Sequence, residues 1–246
     1  MRTGVTAAVS VLSLALITGC SGGSDDDSKA SESPRPSEAS ASPTTAAAKA
    51  LGAAELEKLL LVQSDLPRDK IADGDDTLPK SRSELKTDKA ACAPLAYALT
   101  GLPPGDSDTG ASNTVTSEER VGNSFNVTMT SVGLSSYEGD GAARALKAVS
   151  DGIAPCSGGF GITAQGEKLK ITKVATGKAS GRGDDSVAFV LDADMDGEGT
   201  GTFTVEAVRV GTVVSTYYSV DFASMESGKT SAVPLAVIDA QVGKLK

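Results

Sequence analysis

Residues 202–222 have the sequence TFTVEAVRVGTVVSTYYSVDF, and this stretch decides the fold class. β-Branched and aromatic residues dominate both halves, as is typical of strands. Gly211-Thr212 interrupts the run, and a two-residue interruption that contains glycine is a common tight turn between paired strands. We therefore predict two antiparallel strands, residues 202–210 and 213–222.

More strands are predicted on the N-terminal side of this hairpin. Three short apolar runs there are separated by Gly-rich or acidic turns: residues 160–164, 168–174 and 187–191. Residues 113–121 are predicted to pair, through Gly122-Asn123, with a strand that begins near Phe125. In that strand Phe125, Val127 and Met129 alternate with polar residues, so we expect these three side chains to face the core.

Four helices are predicted from apolar residues at spacings of three and four. They cover about residues 51–62, 87–99, 142–153 and 235–245. Thr87 is a plausible N-cap for the second helix and Gly101 suits its C′ position. Pro94 lies inside that helix, which therefore either begins there or is kinked. Helices that flank a run of antiparallel strands indicate an α+β fold.

The composition excludes several classes of function. The chain contains no His, which rules out Ser-His-Asp and Cys-His catalytic systems and His-ligated zinc. Its formal net charge is −9, from 23 Lys+Arg and 32 Asp+Glu. Binding to nucleic acid depends on clustered positive charge, so no nucleic-acid partner is expected. No glycine-rich phosphate loop follows a strand, and no cofactor is expected.

Residues 1–19 are predicted to be an export signal. Arg2 precedes an apolar run over residues 5–17, which as a helix would be about 20 Å long and too short for a hydrocarbon core of about 30 Å. The ending, residues 16–20 (LITGC), resembles the lipobox of bacterial lipoproteins. That resemblance implies a diacylglycerol on Cys20 and an anchor on the extracytoplasmic face of the plasma membrane. The alternative is an ordinary signal peptide followed by a free Cys20.

Residues 20–50 are predicted to be a disordered tether that follows the lipid-bearing cysteine. After Cys20 the segment contains no Val, Ile, Leu, Met or aromatic residue, so it has too little apolar surface to offset the entropy of ordering. A coil of this length spans on the order of 30 Å. The folded domain, residues 51–246, would then stand clear of the membrane surface.

Cys92 and Cys156 are the two cysteines that remain in the folded part. In an exported protein, an even pair within one domain is usually a disulfide. The alternative is that one of them is a catalytic nucleophile, but the chain has no His to deprotonate it. We therefore predict that a disulfide joins the second helix to the end of the third.

Several short motifs resemble the PknH-type extracellular sensor domain of actinobacteria, which is found on receptor serine/threonine kinases and on free lipoproteins. They are residues 59–62 (LLLV), 64–67 (SDLP), 91–95 (ACAPL), 135–137 (SSY) and the helix that ends at 155–156 (PC). The resemblance implies a strongly curved antiparallel sheet, a groove able to take a small ligand, and no catalysis. The kinase-linked form has two disulfides, whereas this chain can form one.

An acidic stretch matches the first half of an EF-hand calcium loop. Its candidate ligands are Asp192, Asp194, Asp196 and Glu198, and Gly197 allows a sharp turn. Phe203 stands where the loop needs a bidentate glutamate. The segment also lies between two predicted strands, so we favour a solvated hairpin turn over a metal site.

Ser83 and Lys86 fit the Ser-x-x-Lys pattern of penicillin-binding enzymes, and Lys229-Thr230-Ser231 faintly resembles their Lys-Thr-Gly. The sequence therefore leaves three candidate functions. We favour a non-enzymatic, membrane-tethered lipoprotein that binds a small ligand or an envelope protein as a sensor. The alternatives are a Ser-Lys hydrolase of the cell envelope and a purely structural envelope lipoprotein.

Overall fold

The computed structural model describes residues 49–74, 78–122, 124–197, 199–227 and 231–246. All of these residues belong to one compact unit, Thr45–Lys246. The predicted export signal, Cys20 and most of the tether lie outside the described residues. Within the described part of the chain, no helix is long and apolar enough to cross a membrane.

The described residues form nine strands in a single antiparallel sheet. The strands are β1 Lys70–Asp73, β2 Leu85–Thr87, β3 Gly110–Val121, β4 Ser124–Ser136, β5 Phe160–Ala164, β6 Glu167–Thr176, β7 Asp185–Asp194, β8 Thr200–Val210 and β9 Val213–Asp221. Their order across the sheet is β1-β3-β4-β9-β8-β7-β6-β5-β2. The sheet is therefore open, with the two shortest strands at its edges, and the hairpin that decides the fold class lies at its centre.

Five α-helices accompany the sheet in the described residues, one more than the sequence predicts. They are α1 Ala53–Leu59, α2 Ala93–Leu99, α3 Gly141–Ile153, α4 Phe222–Ser227 and α5 Leu235–Lys244. Short 3₁₀ turns cover Arg82–Glu84 and Ala90–Cys92. The prediction of an α+β fold with an antiparallel sheet is confirmed.

The two faces of the sheet carry different helices. On β8, Val205 packs in a buried cluster with Leu95 of α2 and Val149 of α3. Val208, of opposite parity, packs with Ile238 of α5. Since successive side chains of a strand point to opposite faces, α2 and α3 cover one face while α5 covers the other. This two-sided burial explains why consecutive residues, rather than every second one, are buried in β8 (residues 203–208) and β9 (residues 213–217).

The disulfide between Cys92 and Cys156 is present, as predicted. Both cysteines are completely buried, and their Cα atoms are 5.8 Å apart, within the usual range for a disulfide. Cys92 precedes the first turn of α2 and Cys156 follows the end of α3. The bond therefore fixes the two helices that cover the same face of the sheet.

Two predicted helix boundaries are wrong. Thr87 ends β2 instead of capping the second helix, and α2 begins at Ala93 with Pro94 in its first turn. Proline lacks an N–H, which is harmless in the first turn and disruptive in a helix interior, so the helix begins where Pro94 permits. Phe222 begins α4 instead of ending the last strand. The first helix is shorter than predicted, because Leu60 is already extended.

The predicted inner face of the strand that begins near Phe125 is also wrong. Phe125 is 67% exposed and Met129 37% exposed, whereas Thr130, Val132 and Leu134 are buried. The buried residues therefore have the opposite parity. In the first half of β4 the apolar side chains of Phe125 and Met129 are exposed, so their alternation with polar residues assigns the wrong face.

One carboxylate lies within the core. Glu206 of β8 is only 3% exposed, and its Oε1 atom accepts hydrogen bonds from the Ser180 backbone N–H (2.8 Å) and hydroxyl (2.5 Å). Burial raises the pKa of this carboxyl above its usual range, and the two hydrogen bonds with the charge of Arg182 offset part of that effect. The folded state therefore holds a proton on Glu206 more tightly than the unfolded chain does.

Glu206→Gln is expected to increase the free energy of unfolding near pH 7 and to leave it almost unchanged at about pH 4. Because folding raises the pKa of Glu206, protonation of this carboxyl stabilises the folded state at pH values below the ordinary carboxyl pKa. This stabilisation is lost as the pH rises through the raised pKa. Glutamine keeps an acceptor for Ser180 and carries no charge. Glu206→Ala should instead cost about 1–3 kcal/mol at both pH values, because it leaves Ser180 donors unpaired. Urea denaturation of the three proteins at both pH values measures this, and a glutamine variant that is less stable near pH 7 would refute it.

Candidate ligand-binding cleft

Three clefts of similar size open on the described surface, with volumes of about 580, 590 and 510 Å³. The first, which we call the Arg82 cleft, lies between the end of β1, the segment before β2, the end of α2 and the start of β3. Its polar lining residues are Asp73, Lys80, Ser81, Arg82, Ser83, Thr100, Asp108 and Ser112. Its volume is within the range of small-molecule sites, about 300–1,000 Å³.

One wall of the Arg82 cleft is a 3₁₀ turn that fixes the position of Arg82. Glu84 accepts hydrogen bonds from the Lys80 backbone N–H at Oε2 (3.1 Å) and from the Ser81 hydroxyl at Oε1 (3.0 Å). The Ser81 and Ser83 hydroxyl oxygens are 2.8 Å apart. These bonds tie the residues on both sides of Arg82 to one another, so the backbone presents this side chain in a defined direction.

The opposite wall is the end of α2, which packs closely on the sheet. Gly101 follows the helix with a φ of +74°, the left-handed conformation that glycine tolerates, as predicted for the C′ position. A Cβ atom on Gly133 of β4 would lie 2.7 Å from the Cα of Gly101. Two glycines therefore let the helix end rest on the strand, and this contact forms the base of the wall.

The guanidinium of Arg82 is held against an aromatic ring. Its Cζ atom lies 4.7 Å from the centroid of the Tyr97 ring, which belongs to α2. The side chain is 28% exposed, yet its Nε atom is buried and has no hydrogen-bond partner among the described residues. Its acidic neighbour is Asp106, whose Oδ1 atom is 3.9 Å from Nη1 and whose side chain is fully exposed. Arg82 thus lies at the edge of the cleft with part of its side chain exposed, while its Nε donor is buried and unpaired among the described residues.

Ser83 and Lys86 are not arranged as the hydrolase hypothesis requires. Ser83 belongs to the 3₁₀ turn and lines the Arg82 cleft, whereas Lys86 belongs to β2 and lines the second cleft. The chain becomes extended at Leu85, so the lysine is not one helical turn from the serine. Within the described residues the Ser83 hydroxyl pairs with Ser81. Lys229 and Thr230, the other part of that hypothesis, lie outside the described residues.

The acidic stretch forms the connection between β7 and β8, the hairpin turn that the sequence favours. Asp194 accepts a hydrogen bond from the Gly197 backbone N–H (3.0 Å), and Asp192 accepts one from the Thr202 hydroxyl (2.8 Å). Lys170 lies 3.9 Å from Asp194. Among the described residues, which do not include Glu198, no three acidic, His or Cys side chains are placed to hold a metal ion. The described carboxylates instead stabilise the turn and its flanking strands.

Calcium is expected to bind this hairpin no more tightly than about millimolar. Asp192, Asp194 and Asp196 attract a cation, but Phe203 cannot complete a closed set of oxygen ligands. Calorimetric titration of the protein with calcium chloride measures the affinity. Micromolar binding that Asp194→Ala abolishes would show that the hairpin is a calcium site.

No pattern in the sequence indicates that Arg82 lines a cleft. Its surroundings come from Tyr97, in the next helix, and from residues near position 106, all distant along the chain. A lone arginine between two serines carries no local signal of a site. The sequence assigned no residues to the expected groove, and Arg82 is one of the charged residues that line the first cleft.

No known family model matches the chain, and no curated protein is similar to it in sequence. Among solved structures, the chain is similar to the extracellular domain of PknH from Mycobacterium tuberculosis, with a TM-score of 0.40 and 14% sequence identity. The similarity covers 80% of this chain and 95% of that domain. What the Arg82 cleft can bind follows from its own side chains.

Proposed function

We propose that this chain is an extracytoplasmic lipoprotein, anchored through Cys20, whose domain binds a small ligand in the Arg82 cleft without catalysing a reaction. The buried Cys92–Cys156 disulfide is the observation that carries the proposed location. Disulfides persist in oxidising compartments, and here one lies in a chain that begins with a predicted export signal. The lipid and the tether place the domain outside the membrane.

The cleft supports binding as the role of the domain. It combines apolar lining residues such as Leu102 and Pro103 with a few converging polar groups, which is the usual composition of a ligand site. Its rigid turn and the stacked Arg82 are arranged before any ligand arrives, which lowers the entropic cost of binding. Among the described residues the Ser83 hydroxyl pairs with that of Ser81, and Lys86 lines a different cleft, so binding is favoured over the Ser-Lys chemistry.

Native mass spectrometry of the full chain, taken from its own membranes in mild detergent, is expected to show a co-purified small molecule. Ser112→Trp fills the cleft from an exposed position on β3 and should remove that molecule. Glu119→Trp, at an exposed position of the same strand outside the cleft, should retain it. A ligand that survives Ser112→Trp would contradict the site, and the absence of any ligand from the wild-type chain would favour a structural role.

A further inference from the structure

We infer that the Arg82 cleft recognises a ligand through a single oxyanion group, a carboxylate or a phosphate monoester, bound by the Arg82 guanidinium. This inference rests on the proposed function and names the chemical class of its ligand. It is drawn from the burial of one donor of Arg82, the aromatic ring beside its guanidinium and the charges around it.

The Nε atom of Arg82 is the starting point. It is inaccessible to solvent and lacks an acceptor among the described residues, although the rest of the side chain reaches the cleft. A buried N–H of a cation that has lost its water without gaining an acceptor is unfavourable. A ligand oxygen that reaches the exposed part of the guanidinium would place negative charge beside this incompletely solvated cation, so binding gains more here than at a solvated arginine.

The neighbouring carboxylates do not supply that acceptor. Both oxygens of Glu84 already accept hydrogen bonds from its own turn. Asp106 is fully exposed, and its 3.9 Å distance from Nη1 exceeds that of a hydrogen bond. Among the described residues, Arg82 therefore has only a long, exposed ion pair with Asp106.

The exposed part of the guanidinium can take a further acceptor. The Cζ atom lies over the Tyr97 ring, 4.7 Å from its centroid, and 28% of the side chain remains exposed at the edge of the cleft. Two parallel N–H groups of an arginine match the two oxygens of a carboxylate or phosphate, and such paired bonds are strong and directional. A lysine at this position would present only a point charge.

The charge of the lining limits the ligand to one anionic group. Among the described lining residues, Lys80 and Arg82 carry two positive charges and Asp73 and Asp108 two negative ones, so this part of the lining has no net charge. A polyanion would meet these carboxylates and be repelled by them. A ligand with one oxyanion and an uncharged or cationic remainder is compatible with both the positive and the negative side chains of the lining.

Calorimetric titration of the full chain in nonionic detergent with acetate, inorganic phosphate, glycerol 3-phosphate and pyrophosphate tests the inference. We expect acetate or a phosphate probe to bind the wild-type chain, and Arg82→Gln to weaken that binding at least about tenfold. Arg82→Lys should give an intermediate affinity. Stronger binding of glycerol 3-phosphate than of phosphate indicates a lipid headgroup or another ester, whereas equal binding indicates the free anion.

Arg120→Gln is the matched control, because Arg120 also stacks on an aromatic ring, 5.7 Å from the centroid of Phe125, but lies outside the cleft. It should bind the probes as the wild-type chain does, and all variants should retain the wild-type melting temperature. No binding by the wild-type chain, equal binding by Arg82→Gln, or pyrophosphate binding more than about tenfold tighter than phosphate would overturn the inference. An uncharged ligand found by native mass spectrometry would overturn it and leave the proposed function standing.

Discussion

Replacement of both Cys92 and Cys156 by alanine is expected to lower the free energy of unfolding by about 4 kcal/mol. The bond closes a loop across a sequence separation of 64 residues, so its loss restores considerable freedom to the unfolded chain. Domains of this size have total stabilities of about 5–15 kcal/mol. A loss of this size would therefore leave a domain that is close to unfolding at physiological temperature.

Urea denaturation of the wild-type chain and the double variant measures the change. The reduced wild-type chain is the control, because it lacks the link but keeps both sulfur atoms in the core. If the link is the cause, reduction and replacement should have similar effects. A loss below about 1 kcal/mol in both would contradict a stabilising role for the bond. A loss confined to the alanine variant would assign the effect to packing of the two buried side chains.

The elements predicted correctly are those whose sequences carry a strong local pattern. Residues 202–222 contain both halves of a hairpin and its turn, and helix α3 shows its apolar face at regular spacing before Pro155. Either pattern needs only short-range information. The centre of the sheet and helix α3 could therefore be predicted from the sequence.

The edge strands could not be predicted because their formation depends on distant partners. β1 is four residues long and pairs with residues 113–116 of β3. β2 is three residues long and pairs with β5, more than seventy residues further along the chain. Neither has an alternating pattern of its own. Residues 78–83, which lie between these two strands in the sequence, line the Arg82 cleft, so the site could not be predicted either.

Cys20→Ser is expected to release the protein from the membrane fraction almost completely. The lipid on Cys20 is the predicted anchor, and no helix of the described residues could replace it. Two acyl chains hold a protein stably, whereas a serine at this position cannot carry them through a thioether. Cell fractionation followed by immunoblotting measures the distribution. Ser21→Ala, one residue further on, is the control and should remain in the membranes.

A Cys20→Ser variant that fractionates entirely with membranes would show that another segment or a partner holds the protein there. If the variant is released, its domain should still carry the ligand, which would show that binding does not depend on the anchor. A released variant that has lost the ligand would instead indicate that the membrane contributes to binding.

The intact mass of the mature protein from its own membranes tests the central claim most directly, which is that this domain works outside the membrane on a lipid tether. We predict a chain that begins at Cys20, carries the added mass of a diacylglycerol and contains no free thiol at Cys92 or Cys156. A chain that begins at Met1, or a mature chain with an unmodified Cys20, would contradict the account.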